Sequence, residues 1–466
     1  MWRAFYNTLK VKELRNRLLF TAMIIVIVRV ASAIPCPGVD MKALDAFFET
    51  LRAQNKDGSG GLMAMIDLFS GGALAHFALG ALGIMPYITA SIILQLLVPV
   101  IPQLEKMQRE GESGRQKISQ YTRYLTIIVC LIQGAMVAMA MVNPEKIGLG
   151  SLAQGQHLYV DDLNVKLFVI ITMLVLTATT MVFTWLGEQI TERGIGNGVS
   201  LIITINIVSR LPQAIFELID MARKGTTPGG TTFRPVHLLL MLIVFCGVTA
   251  ATILLSQGYR RVPIQMVRKT VGKQMMGGST YMPLKVNFAN VMPIIFAGAI
   301  LMLPETLFMA LANRPNASRV WGTLAMAFRQ DGTGYIVAYG LLILIFSFFW
   351  VANQFNPLQI ADNLKKEGAY IPGISPGQPT ADFLDSAMTR VTAGGAVFLL
   401  VLALFPMFLY NQFRIPFIVA QFFGGTSLLI MVGVVLDTMS QLESHLTMRH
   451  YEGFLKSGRL RNRAGN

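Results

Sequence analysis

Apolar residues in this chain gather in unbroken runs instead of alternating or recurring as narrow helical stripes. Ten such runs stand out, at 18–34, 76–100, 123–142, 165–186, 198–218, 237–256, 287–309, 333–354, 391–409 and 418–441. A helix needs about 20 mostly apolar residues to cross the hydrocarbon core of a bilayer, and each run is near that length. The pattern predicts an all-α integral membrane protein with ten transmembrane helices. A further segment, about 62–74, is too short to span and is interrupted at Gly71-Gly72, so it is expected to be a half-helix or a re-entrant piece. Ten divides into five and five. The expected domains are therefore an N-terminal half at 1–236, a C-terminal half at 237–441 and a tail at 442–466. Halves with an odd number of spans take opposite topologies, as in inverted-repeat membrane proteins. The halves share no convincing sequence identity, so this pseudo-symmetry is a structural expectation only.

Composition agrees with lipid as the main solvent. Hydrophobic residues make up 53% of the chain and charged residues only 14%, against about 25% charged in soluble domains. The net charge of +14 changes the picture more, because much of it lies between the apolar runs. The stretch Gln257–Lys285 holds Arg260, Arg261, Arg268, Lys269, Lys273 and Lys285 with no acid, whereas Val142–Asn164 holds only Lys146. The positive-inside rule then puts both termini in the cytoplasm. Basic loops of this kind suit anionic lipid, ribosomal RNA or an acidic protein face. The first run follows Arg3, Lys10, Lys12, Arg15 and Arg17 but has no convincing small-x-small cleavage site, so it is expected to remain as a span.

Chemistry is thin. Cys36, Cys130 and Cys246 are scattered, as are the five histidines, and no disulfide framework or metal-ligand spacing results. The chain has no GxxxxGK[ST] phosphate loop, GxSxG elbow or HExxH helix. No catalytic residue, metal or cofactor is expected, and work done through the protein must draw energy from a partner. Arg29, Lys166, Glu188, Arg210, Glu305 and Asp437 fall in or beside spans, mostly toward an end. Ion-coupled transporters usually carry ionisable residues deep in the membrane, and no span here has a clear acid near its middle. That weakens a solute transporter, and the missing constellations weaken an enzyme.

Two stretches are more specific: ALGIMPYITASIILQ at 81–95 and GEQITERGIGNG at 187–198. With FSGGAL at 69–74, GESGR at 111–115, ISQYTRY at 118–124, ADNLKK at 361–366 and GGTSLLI at 424–430, they resemble the SecY family. Its members are pore subunits of the bacterial protein-export translocon. The resemblance runs nearly end to end and in order. It implies the central channel subunit of the protein translocase, in the bacterial cytoplasmic membrane. Such a passive pore conducts unfolded polypeptides and releases hydrophobic segments sideways into lipid, driven by the SecA motor or the ribosome.

The resemblance also assigns residues. Segment 62–74 would be a plug, including Asp67, Phe69, Ser70, Gly71 and Gly72. Ile84, Ile88, Val199, Ile203, Ile295 and Ile430 would ring the constriction, although residues of these types are ordinarily packing or lipid contacts. Thr89, Gln95, Asn287 and Leu303 would border a lateral gate. Arg260 and Arg261, with Lys365 and Lys366, would dock the cytoplasmic partner on the long loops Gln257–Lys285 and Gln354–Arg390. One departure is Ser375, where the family commonly has Arg, which implies that this loop engages its partner differently. The implied partners are SecE and SecG in a heterotrimer, SecA, the ribosome, preproteins with signal sequences and membrane lipid, with SecDF and YidC beyond them.

Overall fold

A computed structural model describes residues 11–44, 46, 70–74, 76–142, 159–160, 164–226, 235–266, 269–271, 274–276, 279–312, 318–328, 332–413, 415 and 417–463. The chain forms two compact units, Met1–Glu217 with Ile430–Asn466, and Leu218–Leu429.

The first unit opens with helix α1 (Lys12–Ala31). Pro35 and Pro37 follow closely, and proline cannot continue a helix. The chain instead runs extended, the Cys36 N–H donating to the Phe77 carbonyl at 2.9 Å and the Leu79 N–H to the Ile34 carbonyl at 2.8 Å. This pairing explains a difference from the expected span at 76–100. Residues 76–84 are turns, and helix α2 covers only Met85–Leu97. Gly80 sits where a Cβ would lie 2.9 Å from Ser32 Oγ and 3.1 Å from the Phe183 ring. The helix then starts with Pro86 in its first turn, a position proline favours.

Helix α3 (Pro102–Arg109) turns away, the two axes bending by 104°. Helices α4 (Glu112–Val142), α5 (Val165–Arg193) and α6 (Gly198–Lys224) follow. Two buried threonines of α5 show how lipid constrains polar groups. Thr177 Oγ1 donates to the Met173 carbonyl at 2.8 Å and Thr184 Oγ1 to the Thr180 carbonyl at 2.9 Å, satisfying each hydroxyl inside its own helix.

The second unit takes the end of α6 and then α7 (Pro235–Gln257). The Gln257–Lys285 segment, expected as a loop, is a β-ribbon. Strands β1 (Tyr259–Met266) and β4 (Ser279–Lys285) pair antiparallel from Tyr259 opposite Lys285 to Gln265 opposite Ser279, and β2 (Lys269–Val271) pairs with β3 (Gln274–Met276). Helices α8 (Met292–Ala312), α9 (Arg319–Ala327), α10 (Thr333–Gln354) and α11 (Pro357–Glu367) follow, then β5 (Ala369–Tyr370), α12 (Gln378–Phe413) and α13 (Phe417–Gly424). Strand β5 joins the other edge of β1, Gln265 facing Tyr370. Val262 and Leu284 turn inward from this sheet onto Val351, Phe355, Leu384 and Met388. Helix α14 (Thr426–Arg463) ends the described chain and belongs to the first unit from Ile430. The expected span at 418–441 is thus two helices, α13 and α14, parted at Gly425.

Among the described residues, seven helices are long and apolar enough to cross a membrane, or eight if the bent α2–α3 pair is one span. Helix α1 falls short because Arg15, Arg17 and Arg29 lie along it. The body is helical and built for lipid. A count of ten goes beyond what length and composition of these helices establish.

Candidate functional site

The aliphatic residues singled out above occupy helices or, for Ile84, a helix cap. Ile84 is the N-cap of α2, and its carbonyl accepts the Ile88 N–H at 3.2 Å. One turn apart, the two lie on one helix face, 1% and 7% exposed. Val199 and Ile203 repeat this spacing on α6, the first half-buried and the second buried. Ile430 on α14 is 1% exposed, and Ile295 near the start of α8, in the second unit, is buried. None of the six offers a side-chain donor or acceptor.

The GEQITERGIGNG stretch is the interlocked turn between α5 and α6. Thr191 Oγ1 donates to the Gly187 carbonyl at 3.1 Å and accepts the Gly198 N–H at 2.9 Å. Asn197 caps α6, its Oδ1 accepting the Ser200 N–H at 3.2 Å. From α1, Thr21 Oγ1 accepts the Ile195 N–H at 3.3 Å. A Cβ on Gly198 would fall 1.9 Å from the Gly187 carbonyl oxygen, and Gly196 has φ +86°. Each glycine is therefore there for space or for backbone conformation. Arg123 on α4 grips the start of this turn through a two-pronged pair with Glu188, at 3.0 and 2.6 Å.

Of the expected plug, Asp67 and Phe69 lie outside the described residues, and Ser70, Gly71 and Gly72 are buried. Both glycines have positive φ, +67° and +93°. The Gly71 carbonyl accepts hydrogen bonds from Arg29 Nη2 and from Ser209 Oγ, each at 3.2 Å. Arg29 Nη1 reaches Asn206 Oδ1 at 3.3 Å. In the sequence, Arg29 and Arg210 stand only as charges in or beside spans, with no role attached. The available signal was the spacing of Asn206, Ser209, Arg210, Gln213 and Glu217, a polar stripe on one face of an otherwise apolar run.

At the expected lateral gate, Thr89 Oγ1 donates to the Met85 carbonyl at 3.1 Å and Gln95 Nε2 to Ser91 Oγ at 3.0 Å, both within α2. Gln95 Oε1 is buried with no hydrogen-bond partner among the described residues, and Asn287 is buried before α8. Leu303 is placed in α8, and its side chain lies outside the described residues.

Arg260 and Arg261 are exposed on β1, where the Arg261 guanidinium lies over the Tyr259 ring at 5.3 Å and bonds its hydroxyl at 3.0 Å. Lys365 and Lys366 are exposed in the last turn of α11, which Gly368 caps at φ +69°. The β1–β5 pairing brings these two loops into one sheet, which the sequence did not reveal. Ser375 is exposed, and its carbonyl accepts Thr380 Oγ1 at 2.8 Å. Burial pushes the Cys36 thiol up to about 11, so it carries no thiolate at neutral pH. Among the described residues, no group of three His, Cys, Asp or Glu is placed to hold a metal.

These features define a multi-pass helical membrane protein with an exposed basic β-ribbon and polar groups spent on holding its own turns. The family model for SecY matches residues 78–439. Protein translocase subunit SecY of Thermotoga maritima is 40% identical over 467 residues, covering 99% of this chain and all of the relative. The chain belongs to the SecY family. Two solved channels share the fold at a TM-score of 0.58, each over 92% of this chain and 91% of theirs. One is SecY in a study of how its plug domain stabilises the closed state and maintains a membrane seal, at 18% identity. The other is Sec61 in the canine ribosome–channel complex from the endoplasmic reticulum, at 16% identity.

Proposed function

We infer that this chain is the protein-conducting subunit of a translocase, carrying unfolded polypeptides across the cytoplasmic membrane and releasing hydrophobic segments sideways into lipid. The observation that carries the reading is whole-length similarity, at 40% identity, to a protein translocase subunit. It is a pore and not an enzyme: force comes from SecA or a ribosome. Ten spans in two inverted halves, 1–236 and 237–441, with tail 442–466 and both termini cytoplasmic, complete the reading. Basic Gln257–Lys285 and nearly base-free Val142–Asn164 support the orientation.

The constriction in this reading is Ile84, Ile88, Val199, Ile203, Ile295 and Ile430. Aliphatic side chains cannot replace an ion's hydration shell, so a narrow ring of them dewets and excludes ions. The same side chains change rotamer readily and have no sequence preference, so they fit around any passing chain. Sealing and unselective passage then follow from one chemistry. Segment 62–74 is the plug, supported by the role named for the plug of a structural neighbour. Thr89, Gln95, Asn287 and Leu303 border the lateral gate, where amide bonds between membrane helices are worth about 0.6–2 kcal/mol.

The sheet carrying Arg260 and Arg261, continuous with the helix end at Lys365 and Lys366, is the docking face for SecA or the ribosome. Its exposure and charge support this, as does the ribosome-bound neighbour. SecE and SecG are the membrane partners, with SecDF and YidC as later contacts. Crosslinking a stalled nascent chain to a cysteine at position 88 or 203 tests the reading. Adducts at both positions are expected; a chain that translocates without touching either would refute it.

A further inference from the structure

In an apolar membrane helix, five polar residues on one face need an explanation, because each must find a partner in protein or cost free energy in lipid. On α6 these are Asn206, Ser209, Arg210, Gln213 and Glu217. Their bonds form two groups, Arg210 with Gln213 and Glu217, and Ser209 with Asn206. Gln213 Nε2 donates to Glu217 Oε1 at 3.1 Å, and Gln213 Oε1 accepts from Arg210 Nη1. Ser209 Oγ shares its one proton between the Asn206 carbonyl at 2.6 Å and the Gly71 carbonyl at 3.2 Å, and Asn206 Oδ1 accepts from Arg29. Asn206 is fully buried and Arg210 is 9% exposed.

What the two groups lie against is backbone. A Cβ on Gly71 would lie 2.5 Å from Arg29 Nη1 and 3.0 Å from the Asn206 Cα; one on Gly72 would lie 2.8 Å from the Arg210 guanidinium carbon. The two glycines thus lie against the guanidinium groups with no room for a side chain, in a left-handed conformation that favours glycine.

We propose that Arg29, with Ser209 and Asn206, is a catch on the Gly71 carbonyl that positions the Gly71-Gly72 turn and sets how easily the resting channel is unsealed. The inference rests on reading 62–74 as the plug. Arg29 suits the task because its planar fork serves two acceptors on different segments at once, Asn206 on α6 and Gly71 in the turn. A lysine ammonium keeps the charge but holds that bridge poorly. A carbonyl held by a cationic donor and by a share of a hydroxyl proton is firm yet reversible, since no covalent bond or metal is involved.

The experiment uses the full chain with its membrane partners in nanodiscs and in planar bilayers. Hydrogen exchange over 70–77 reads the catch directly, and resting conductance reads the seal. Arg29→Lys is expected to speed exchange of that segment by about tenfold or more, the effect of losing one charge-assisted hydrogen bond. Ser209→Ala should give a smaller increase. The double variant should fall short of the product of the two, because both donors serve one oxygen. Wild-type exchange in Arg29→Lys, with folded yield intact, overturns the catch. Faster exchange with unchanged conductance supports the catch and refutes the plug reading instead.

Discussion

Ile430→Asn tests the aliphatic seal with a single atom-scale change. Ile430 is 1% exposed and lies five residues into α14. Asparagine is smaller and brings an amide into a buried site that an aliphatic side chain fills. An unmet buried polar group costs about 1–3 kcal/mol, and water entering the constriction removes that cost. The substitution therefore favours a wet state over a dry one by the same amount, which is about 5- to 150-fold in the equilibrium. Resting ion conductance of the reconstituted translocase should rise accordingly. Preproteins with weakened signal sequences should be exported more readily, because less of the opening free energy must come from the signal. Ile430→Leu separates wetting from packing: it adds no polar atom and should cost less than about 1.5 kcal/mol, leaving conductance near wild type. Ile430→Asn with wild-type resting conductance and strict signal dependence would refute the dewetting argument.

Replacing Gln95 and Asn287 together with leucine should change the signal hydrophobicity needed for membrane insertion, read from a graded series of signals; an unchanged threshold refutes their gate role. Gln95→Leu alone should leave melting temperature unchanged or raised, since it removes the buried, unpartnered Oε1. Gly198→Ala should abolish most folded protein in detergent, because its Cβ would lie 1.9 Å from the Gly187 oxygen, and a wild-type yield by size exclusion would contradict the interlocked turn. Arg260→Glu with Arg261→Glu should lower motor or ribosome affinity at least about tenfold while melting changes little, as expected for exposed side chains; unaltered affinity places docking elsewhere.

Helix existence was legible because lipid demands runs of fixed length, and every expected run has helix in the structure. Helix ends were less legible, for reasons that lie in tertiary contacts. Residues 76–84 read as apolar and helical, yet Phe77 and Leu79 pair with Cys36 and Ile34, and backbone pairing with another segment leaves no helix there. The break at Gly424-Gly425 was quoted as a motif without being read as a helix boundary. Gln257–Lys285 was read by charge alone, which locates a loop but says nothing of strand pairing. Its alternation of inward Val262 and Ile264 with exposed neighbours is the period-two signal that was there to find. The proposed aliphatic constriction was illegible from composition, since isoleucine in a membrane helix is ordinary; only family resemblance separates six residues from the rest.

Polar groups in this chain divide by what they hold. Thr21, Thr191, Asn197 and the Arg123–Glu188 pair fasten the α5–α6 turn through short links whose partners are backbone or charge. Such links are directional, and a small displacement breaks them. The residues proposed to touch a moving substrate are aliphatic, and dispersion contacts tolerate displacement and changes of partner. A channel for arbitrary sequences needs both kinds of interaction in different places. Directional bonds at the constriction would select among substrates, and aliphatic contacts at the turns would let the frame drift. The Gly71 carbonyl is where the two kinds meet, a segment assigned to movement held by bonds suited to fixing. Loosening the catch should change when the channel opens and leave unchanged which sequences pass once it has.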